Sequence, residues 1–560
     1  METKNAFLAI MLSMAILLSY QLFFAPKPPP PDASSPQTAE QPTPLQTQAG
    51  PAASLTLPTS PTPLAVPGQE TAIVQPQGKD ITVETSLYAA VVSETGGGIK
   101  SFKLKKYKES LTEDSDFKEL IQVKSPVEFP LNFSWGIEPA RTVVPVYAAD
   151  KETVFTQGME ENTLTMHTVL PSGIEMLRTL TFSDSDYLMQ LTIDVYNGTA
   201  NPLQGAPYLS LTNSPFSPDA ASRFFFTGPA VLQDGILEEI KVDDLLENPR
   251  TVSGTINWTA YEDTYFMCGV IPEPSVGDTT KNIFTVSYSA YDTDKVTTVL
   301  SGAVEAIEPQ TRKQYSYTIY FGPKKLDTLK EAGYSLDKIV DFGWWDFIAK
   351  PTLYLLNLLY KYVHNYGVAI ILVTIIIKLL FWPISAKGMK SMKKMQKLQP
   401  KMAKLREKFK DDKDRLNQEM IGLYKTYKVN PVGGCLPMLL QIPVFFALYK
   451  VLLQTIELRH APFMLWITDL SAPDRLYIGF DIPFLGGIPV LTLLMGGSMF
   501  LQQKMTPTAA DPTQAKVMMF LPVIFTFMFL NFASGLVLYW LLNNLLAIGQ
   551  QYAINRQDDA

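Results

Sequence analysis

GVAIILVTIIIKLLF, residues 367–381, is an apolar run that with its flanks is long enough to cross a bilayer, and it holds one charge, Lys378. A hydrocarbon core of roughly 30 Å is spanned by about 20 helical residues. A charge at the centre of such a helix costs about 2.5–3.5 kcal/mol on insertion scales, so it faces a polar cavity or a partner. Thr374 lies one turn earlier on the same helical face. Two readings of Lys378 stand side by side: a charge serving a polar groove, or a side chain near the helix end that snorkels to the headgroups.

The charge distribution places this span in a chain of two halves. Residues 1–349 carry 24 Lys+Arg and 42 Asp+Glu, and residues 350–560 carry 23 and 12, which together make the net −7 of the whole chain. An acidic front and a basic back point to two compartments. Further apolar segments at 434–456, 486–503, 517–533 and 536–553 join 366–383 to give five expected spans. Between the first two, residues 384–433 hold 14 Lys+Arg against five acidic residues, which the positive-inside rule assigns to the cytoplasm.

That basic stretch has the composition of a helical hairpin. Residues 386–410 are strong helix formers interrupted at Pro400, Asp411 and Asp412 make the turn, and a second helix covers 414–427. Met389, Met392, Met395 and Met402 punctuate the first arm beside Lys393 and Lys394. Flexible thioethers suit varied apolar contacts, and the same residues also suit simple packing of the hairpin, with the lysines drawn to anionic lipid. Inside the spans sit Gln441, Lys450, Gln454, Thr492, Ser498, Gln502, Thr526, Asn531, Tyr539, Asn543 and Asn544. One alone would be glue between helices; together with Lys378 they suggest a wetted cavity. Prolines 383, 437, 443, 489 and 522 add kinks.

Upstream, Lys4 precedes an apolar run at 6–24 whose exit, FFAPK, lacks the small residues of a cleavage site, so an N-terminal anchor is expected over 1–25. Residues 26–77 are rich in Pro, Gln and Thr and form an extended tether. From 78 to 325 the pattern is strand after strand. Tyr187, Met189, Leu191, Ile193 and Val195 alternate with polar positions before Asn197-Gly198; Tyr315, Tyr317, Ile319 and Phe321 do the same before Gly322-Pro323. This predicts one large antiparallel β-sandwich, a spacer or docking surface, with no pair of acids that falls in one cleft. A short helix at 326–332 and an amphipathic segment at 339–363 follow. The latter, with Trp344, Trp345, Phe347, Ile348, Leu355 and Leu358, suits a helix in the membrane interface or one buried against the sandwich.

Chemistry is conspicuously missing. His167, His364 and His460 have no ligand spacing, no phosphate-binding glycine loop or Gly-x-Ser-x-Gly occurs, and Cys268 and Cys435 fall in different halves. No catalytic residue, metal or cofactor is expected.

NPVGGCLPMLLQIPVFFALYKVL (430–452), ELRHAPFMLWITDLSAPD (457–474) and FLPVIFTFMFLNFASGLVLYWLLNN (520–544) closely resemble the YidC/Oxa/Alb membrane protein insertase family. YFGPK (320–324) and the glycines at 96–98 extend the likeness, more loosely, to its Gram-negative type. The resemblance implies a multi-domain membrane protein. A β-supersandwich-like periplasmic domain precedes a five-helix core (366–553), whose hydrophilic groove opens to the cytoplasm and to lipid. It places Lys378 where the family usually has arginine, and maps groove contacts onto Thr374, Gln441, Tyr539 and Trp540. It implies insertion of nascent membrane proteins, alone or with the Sec translocon, and recruitment of ribosome or signal-recognition machinery through cytoplasmic loops near membrane lipids. Many relatives carry a basic C-terminal extension; this chain ends NRQDDA at 555–560, so no ribosome docking by the tail at 554–560 is expected. Two other classes compete: a small-solute transporter, which would show inverted repeats, and a membrane-anchored periplasmic carbohydrate-binding protein, which would leave Lys378 and the basic hairpin idle.

Overall fold

The computed structural model describes residues 78–557, apart from 113, 141–143, 157–160, 217–224, 275–282, 293, 411, 428–435, 481, 484 and 506–511. The expected anchor and tether, Cys435 and residues 558–560 lie outside the described residues. The described residues form a β-rich half and then a helical half.

The β half consists of a 14-stranded and a five-stranded sheet. The strand Leu188–Asn197 alternates as its sequence dictates, burying Met189, Leu191, Ile193 and Val195. It pairs with Arg312–Pro323 in the register Met189↔Ile319, Leu191↔Tyr317 and Ile193↔Tyr315, so both alternating motifs face one core. One departure from the all-antiparallel expectation lies in the smaller sheet, where Asp80–Glu84 pairs in parallel with Thr153–Phe155. Between Tyr88–Ser93 and Ile99–Lys108, Gly96 and Gly97 take φ +83 and +68, a conformation open to glycine at little cost. A Cβ on Gly97 would also press on the buried Arg178 and on Tyr147. Glu262, fully buried, is joined to Lys324 at 2.5 Å; burial pushes its carboxyl up to about 7 against the pull of that lysine.

Nine α-helices lie among the described residues. A short α1 (Val242–Glu247) lies within the β half, and α2 (Leu326–Ala332) leaves it. There follow α3 (Asp346–Val363), α4 (Tyr366–Lys408) and α5 (Lys413–Thr426). The last four are α6 (Leu436–Gln454), α7 (Val490–Met505), α8 (Pro512–Phe529) and α9 (Ser534–Gln557). Among the described residues α4 alone is both long and apolar enough to span a bilayer by length and composition. α6 and α8 carry the shorter apolar stretches Gln441–Gln454 and Met519–Phe529.

The helices depart from the sequence expectation at two places. The sequence predicts a span ending at 383 and a separate hairpin arm beginning at 386; α4 instead runs 43 residues through Pro383 and Pro400. A proline removes one helical hydrogen bond and kinks a helix, but strong formers on both sides carry it on. Asp412 does cap α5, its side chain accepting from the Arg415 amide at 3.0 Å. Second, α3 is buried not against the sheets but against α4 and α6, through Ala349, Leu353 and Leu356. Its other face leaves Phe347 and Tyr362 exposed, as is Trp344 in the turn just before it.

Two features fix the helical half from the β side. Ile456, just after α6, is buried in the core of the β half. Nearby, the Arg459 guanidinium lies 5.6 Å over the Phe266 ring and donates to the Glu109 carbonyl at 3.1 Å. Asp474, also buried, reaches from a loop to the start of α7. It accepts from the amides of Leu491 (2.5 Å) and Thr492 (3.2 Å) and from Trp466 Nε1 (2.6 Å), and so caps that helix from a distance.

Replacing Asp474 by Ala leaves two helix amides and an indole N–H without acceptors; a loss of about 2–4 kcal/mol in unfolding is expected. Asn, which retains one acceptor oxygen, recovers part of it in detergent melts. The pH dependence has a definite sign. A carboxyl whose folded pKa lies above its unfolded 4.5 contributes most to stability below 4.5 and loses that contribution as pH rises to about 7. The melting temperature of the β half should therefore decline across this window less steeply in Glu262→Gln than in the wild type. Equal slopes would show that Glu262 does not titrate there.

Candidate functional site

The core helices are stitched by amides at a spacing of seven. Residues 543 and 550 of α9 face α4: Asn543 Oδ1 accepts from Lys378 Nζ at 3.1 Å, while Gln550 accepts from Ser385 Oγ at 3.0 Å and donates to the Trp382 carbonyl at 3.3 Å. Residues 544 and 551 face α7: Asn544 donates to Ser498 Oγ at 3.0 Å and Gln551 to the Met505 carbonyl at 2.5 Å. Seven residues are nearly two helical turns, so two adjacent amides repeated at this interval form two parallel polar stripes.

Where α4 and α9 part toward α6, a cleft opens with about 460 Å³ of empty space, its open side included. Thr374, Lys378, Ser385, Gln441, Tyr539 and Asn543 supply its polar lining, and Ile377, Phe381 and Ile384 its apolar lining. Among the described residues neither Asp nor Glu lines it. The Thr374 hydroxyl is committed to the Ile370 carbonyl at 2.7 Å, the common resting place of a helical threonine. Tyr539 and Gln441 line it from α9 and α6.

Four of the five expected groove residues, Lys378, Thr374, Gln441 and Tyr539, thus meet in one cleft although they come from three helices. The fifth, Trp540, is not among its lining residues. It lies in an aromatic cluster, with ring centroids 4.7 Å from Phe445, 4.8 Å from Phe529 and 5.9 Å from Phe525. Consecutive helical residues point about 100° apart, so Tyr539 and Trp540 do not share one cavity. The lining that sequence reading misses is Ser385, and the polar partner it leaves unassigned is Asn543. The pairs Asn543-Asn544 and Gln550-Gln551, seven apart, are the available signal.

In the hairpin, Met395 and Met402 are buried with Leu398 against Met420, Leu423 and Tyr424. Met395 therefore packs the hairpin rather than presenting a capture surface. Met389, Met392 and Lys393 are half-buried and Lys394 is exposed. Among the described residues no group of His, Cys, Asp or Glu is placed to hold a metal.

The comparisons with known proteins agree along the chain. The family model described as YidC periplasmic domain matches residues 80–355, and that described as 60Kd inner membrane protein matches 358–560. The membrane protein insertase YidC of Syntrophus aciditrophicus (strain SB) is 43% identical over 566 residues, covering 99% of both chains. That of Geotalea uraniireducens (strain Rf4) is 42% identical over 557 residues, covering 99% of both. A crystal structure of an active YidC insertase with its first transmembrane domain resolved aligns at 18% identity over 85% of this chain and 95% of its own, with a TM-score of 0.35. The family assignment therefore rests on sequence: this chain belongs to the YidC membrane protein insertase family, whose members join a periplasmic domain to an inner-membrane region.

Proposed function

We propose that this chain inserts nascent membrane proteins into the bacterial inner membrane by admitting their polar segments to the cleft around Lys378, and assists their folding there. The observation that carries the reading is a lysine facing a polar cleft within an otherwise apolar helix bundle, with an amide rather than a carboxylate beside it. A polar tail entering such a cleft avoids full desolvation. A carboxylate on that tail gains Coulomb energy several times what bulk water allows, about 4 kcal/mol at 4 Å for an effective dielectric of 20. The apolar segment then passes into lipid along the outward faces of α6 and α8, where Ile442, Phe446, Val523 and Phe527 are exposed. Burial of apolar surface, at about 25 cal/mol per Å², drives that step. No bond is made or broken.

In this reading α4, α6, α7, α8 and α9 are the five spans of a multi-pass core, preceded by an N-terminal anchor. The hairpin of α4 and α5 and the C-terminus lie in the cytoplasm, and the exposed aromatic face of α3 rests in the outer interface. The hairpin's lysines approach anionic lipid and ribosomal or signal-recognition partners, and the chain works alone or beside the Sec translocon. A transporter reading is disfavoured by helices that run without a break at the depth of the cleft, because transporter sites are typically formed by discontinuous helices. Sugar binding would assign no role to Lys378.

Lys378 is tested by Arg, Ala and Glu replacements of the full-length protein in nucleotide-free proteoliposomes, using a short client with an acidic tail. Arg should sustain insertion and Glu should lower it by more than about tenfold, because its sign opposes the client's; a fully active Glu variant refutes the electrostatic role. For the hairpin, photocrosslinkers at Met392 and Lys394 should capture a client earlier than one at Tyr539, and one at the buried Met395 should capture little. Adducts forming first at Tyr539 would leave the hairpin a supporting element only.

A further inference from the structure

Most of the polar side chains that α4 and α9 contribute to their contact have a partner within the fold. Thr374 is spent on its own helix, Ser385 and Gln550 on each other, and Asn544 and Gln551 on α7. Lys378 and Asn543 differ. An ammonium carries three donors and accepts nothing, so the Asn543 amide must turn its oxygen toward it, as the 3.1 Å contact records. The Asn543 –NH2 then faces away from the lysine, and it has no acceptor among the described residues. Two protons of Nζ are likewise left over. Both side chains line the cleft, and among the described residues no carboxylate lines it to absorb these donors. The result is a cluster of donors from two side chains on two helices, held together by one hydrogen bond.

We propose that Asn543 is a positioning and specificity residue that turns the point charge of Lys378 into a two-pronged anion site, in which a client carboxylate accepts from Lys378 Nζ through one oxygen and from Asn543 Nδ2 through the other. A lone ammonium recognises charge without geometry, whereas a fork of two donors recognises the plane of a carboxylate. The amide also fixes the direction of the flexible lysine stem, which reduces the entropy lost when the anion arrives. The inference rests on the reading of the Lys378 cleft as the entry for client polar segments. It adds a preference: carboxylates, from Asp, Glu or a chain terminus, over neutral polar groups of the same size.

The test is a double-mutant cycle on the full-length protein in nucleotide-free proteoliposomes, crossing Lys378 or Lys378→Arg with Asn543 or Asn543→Ala. The readout is the ratio of insertion for two matched clients that differ only by Asp or Asn in the tail. Thermal midpoints in detergent establish that each variant is folded. In the lysine background Asn543→Ala should lower the Asp:Asn ratio by about tenfold, the loss of one charge-assisted prong. In the arginine background the same change should lower it by less than about twofold, because guanidinium brings its own fork. Asn543→Asp, which sets a carboxylate on the lysine, should abolish the preference. An equal fall for both clients, or an equal fall of the ratio in both backgrounds, overturns the proposal and leaves Asn543 as interhelical glue. A ratio that survives Lys378→Ala is a different failure: it shows that the cleft charge is not read at all and removes the underlying assignment as well.

Discussion

In an apolar bundle, a polar side chain has to be answered by another, and that constraint organises the helical half of this protein. In hydrocarbon an unmet hydrogen-bonding group costs several kcal/mol, so most of these groups tie two helices together, turn into a cavity or, as Thr374 does, bond their own helix. Asn544 with Ser498 and Gln551 with Met505 are of the first kind, and they set α9 against α7. Lys378 with Asn543 is of the second kind, only partly answered, and the cleft exists where that deficit is concentrated.

The β half answers a different problem. Its strands bury alternate residues and the strands that end its sheets are only two or three residues long, and the joint to the helices is small and specific. Ile456 shares the sheet core, Arg459 covers Phe266, and α2 contributes Leu329 to the sheet side and Leu326 to the helix side. A wedge with one residue in each core transmits position between two domains whose interiors are otherwise separate. Within the helical half, Asp474 and its indole partner fix the start of α7.

Much of this is legible in the residues, for reasons that are local. The strand at 188–197 alternates without interruption, the turn at Asp412 carries its own cap, and a lysine amid isoleucines announces a polar environment by cost alone. The rest depends on separations no local pattern encodes. The parallel pairing of 80–84 with 153–155 joins segments some 70 residues apart. Lys378 and Asn543 are 165 apart, so the sequence shows both without showing that they touch. The continuation of α4 through Pro383 escapes a sequence reading because proline's local penalty is seen more easily than the helix formers that outweigh it. Adjacency groups Trp540 with Tyr539, where the helical step of about 100° separates neighbours.

The unbroken course of α4 has a mechanical side. At about 1.5 Å per residue its 43 residues make a rod of about 65 Å, with the hairpin at one end and the seat on α3 and the Phe463 loop at the other. Pro383, like Pro400 farther out, lacks one bond of the ladder and is a soft point of the rod beside the cleft. Phe381, Ile384 and Ser385, all on the wall of the cleft, lie within one turn of it. A bend at this joint would therefore shift the cleft wall along with the outer arm. A load on the lysine-rich arm, some 20 residues beyond the joint, would be felt at the cleft wall, where the Ser385–Gln550 contact ties that wall to α9.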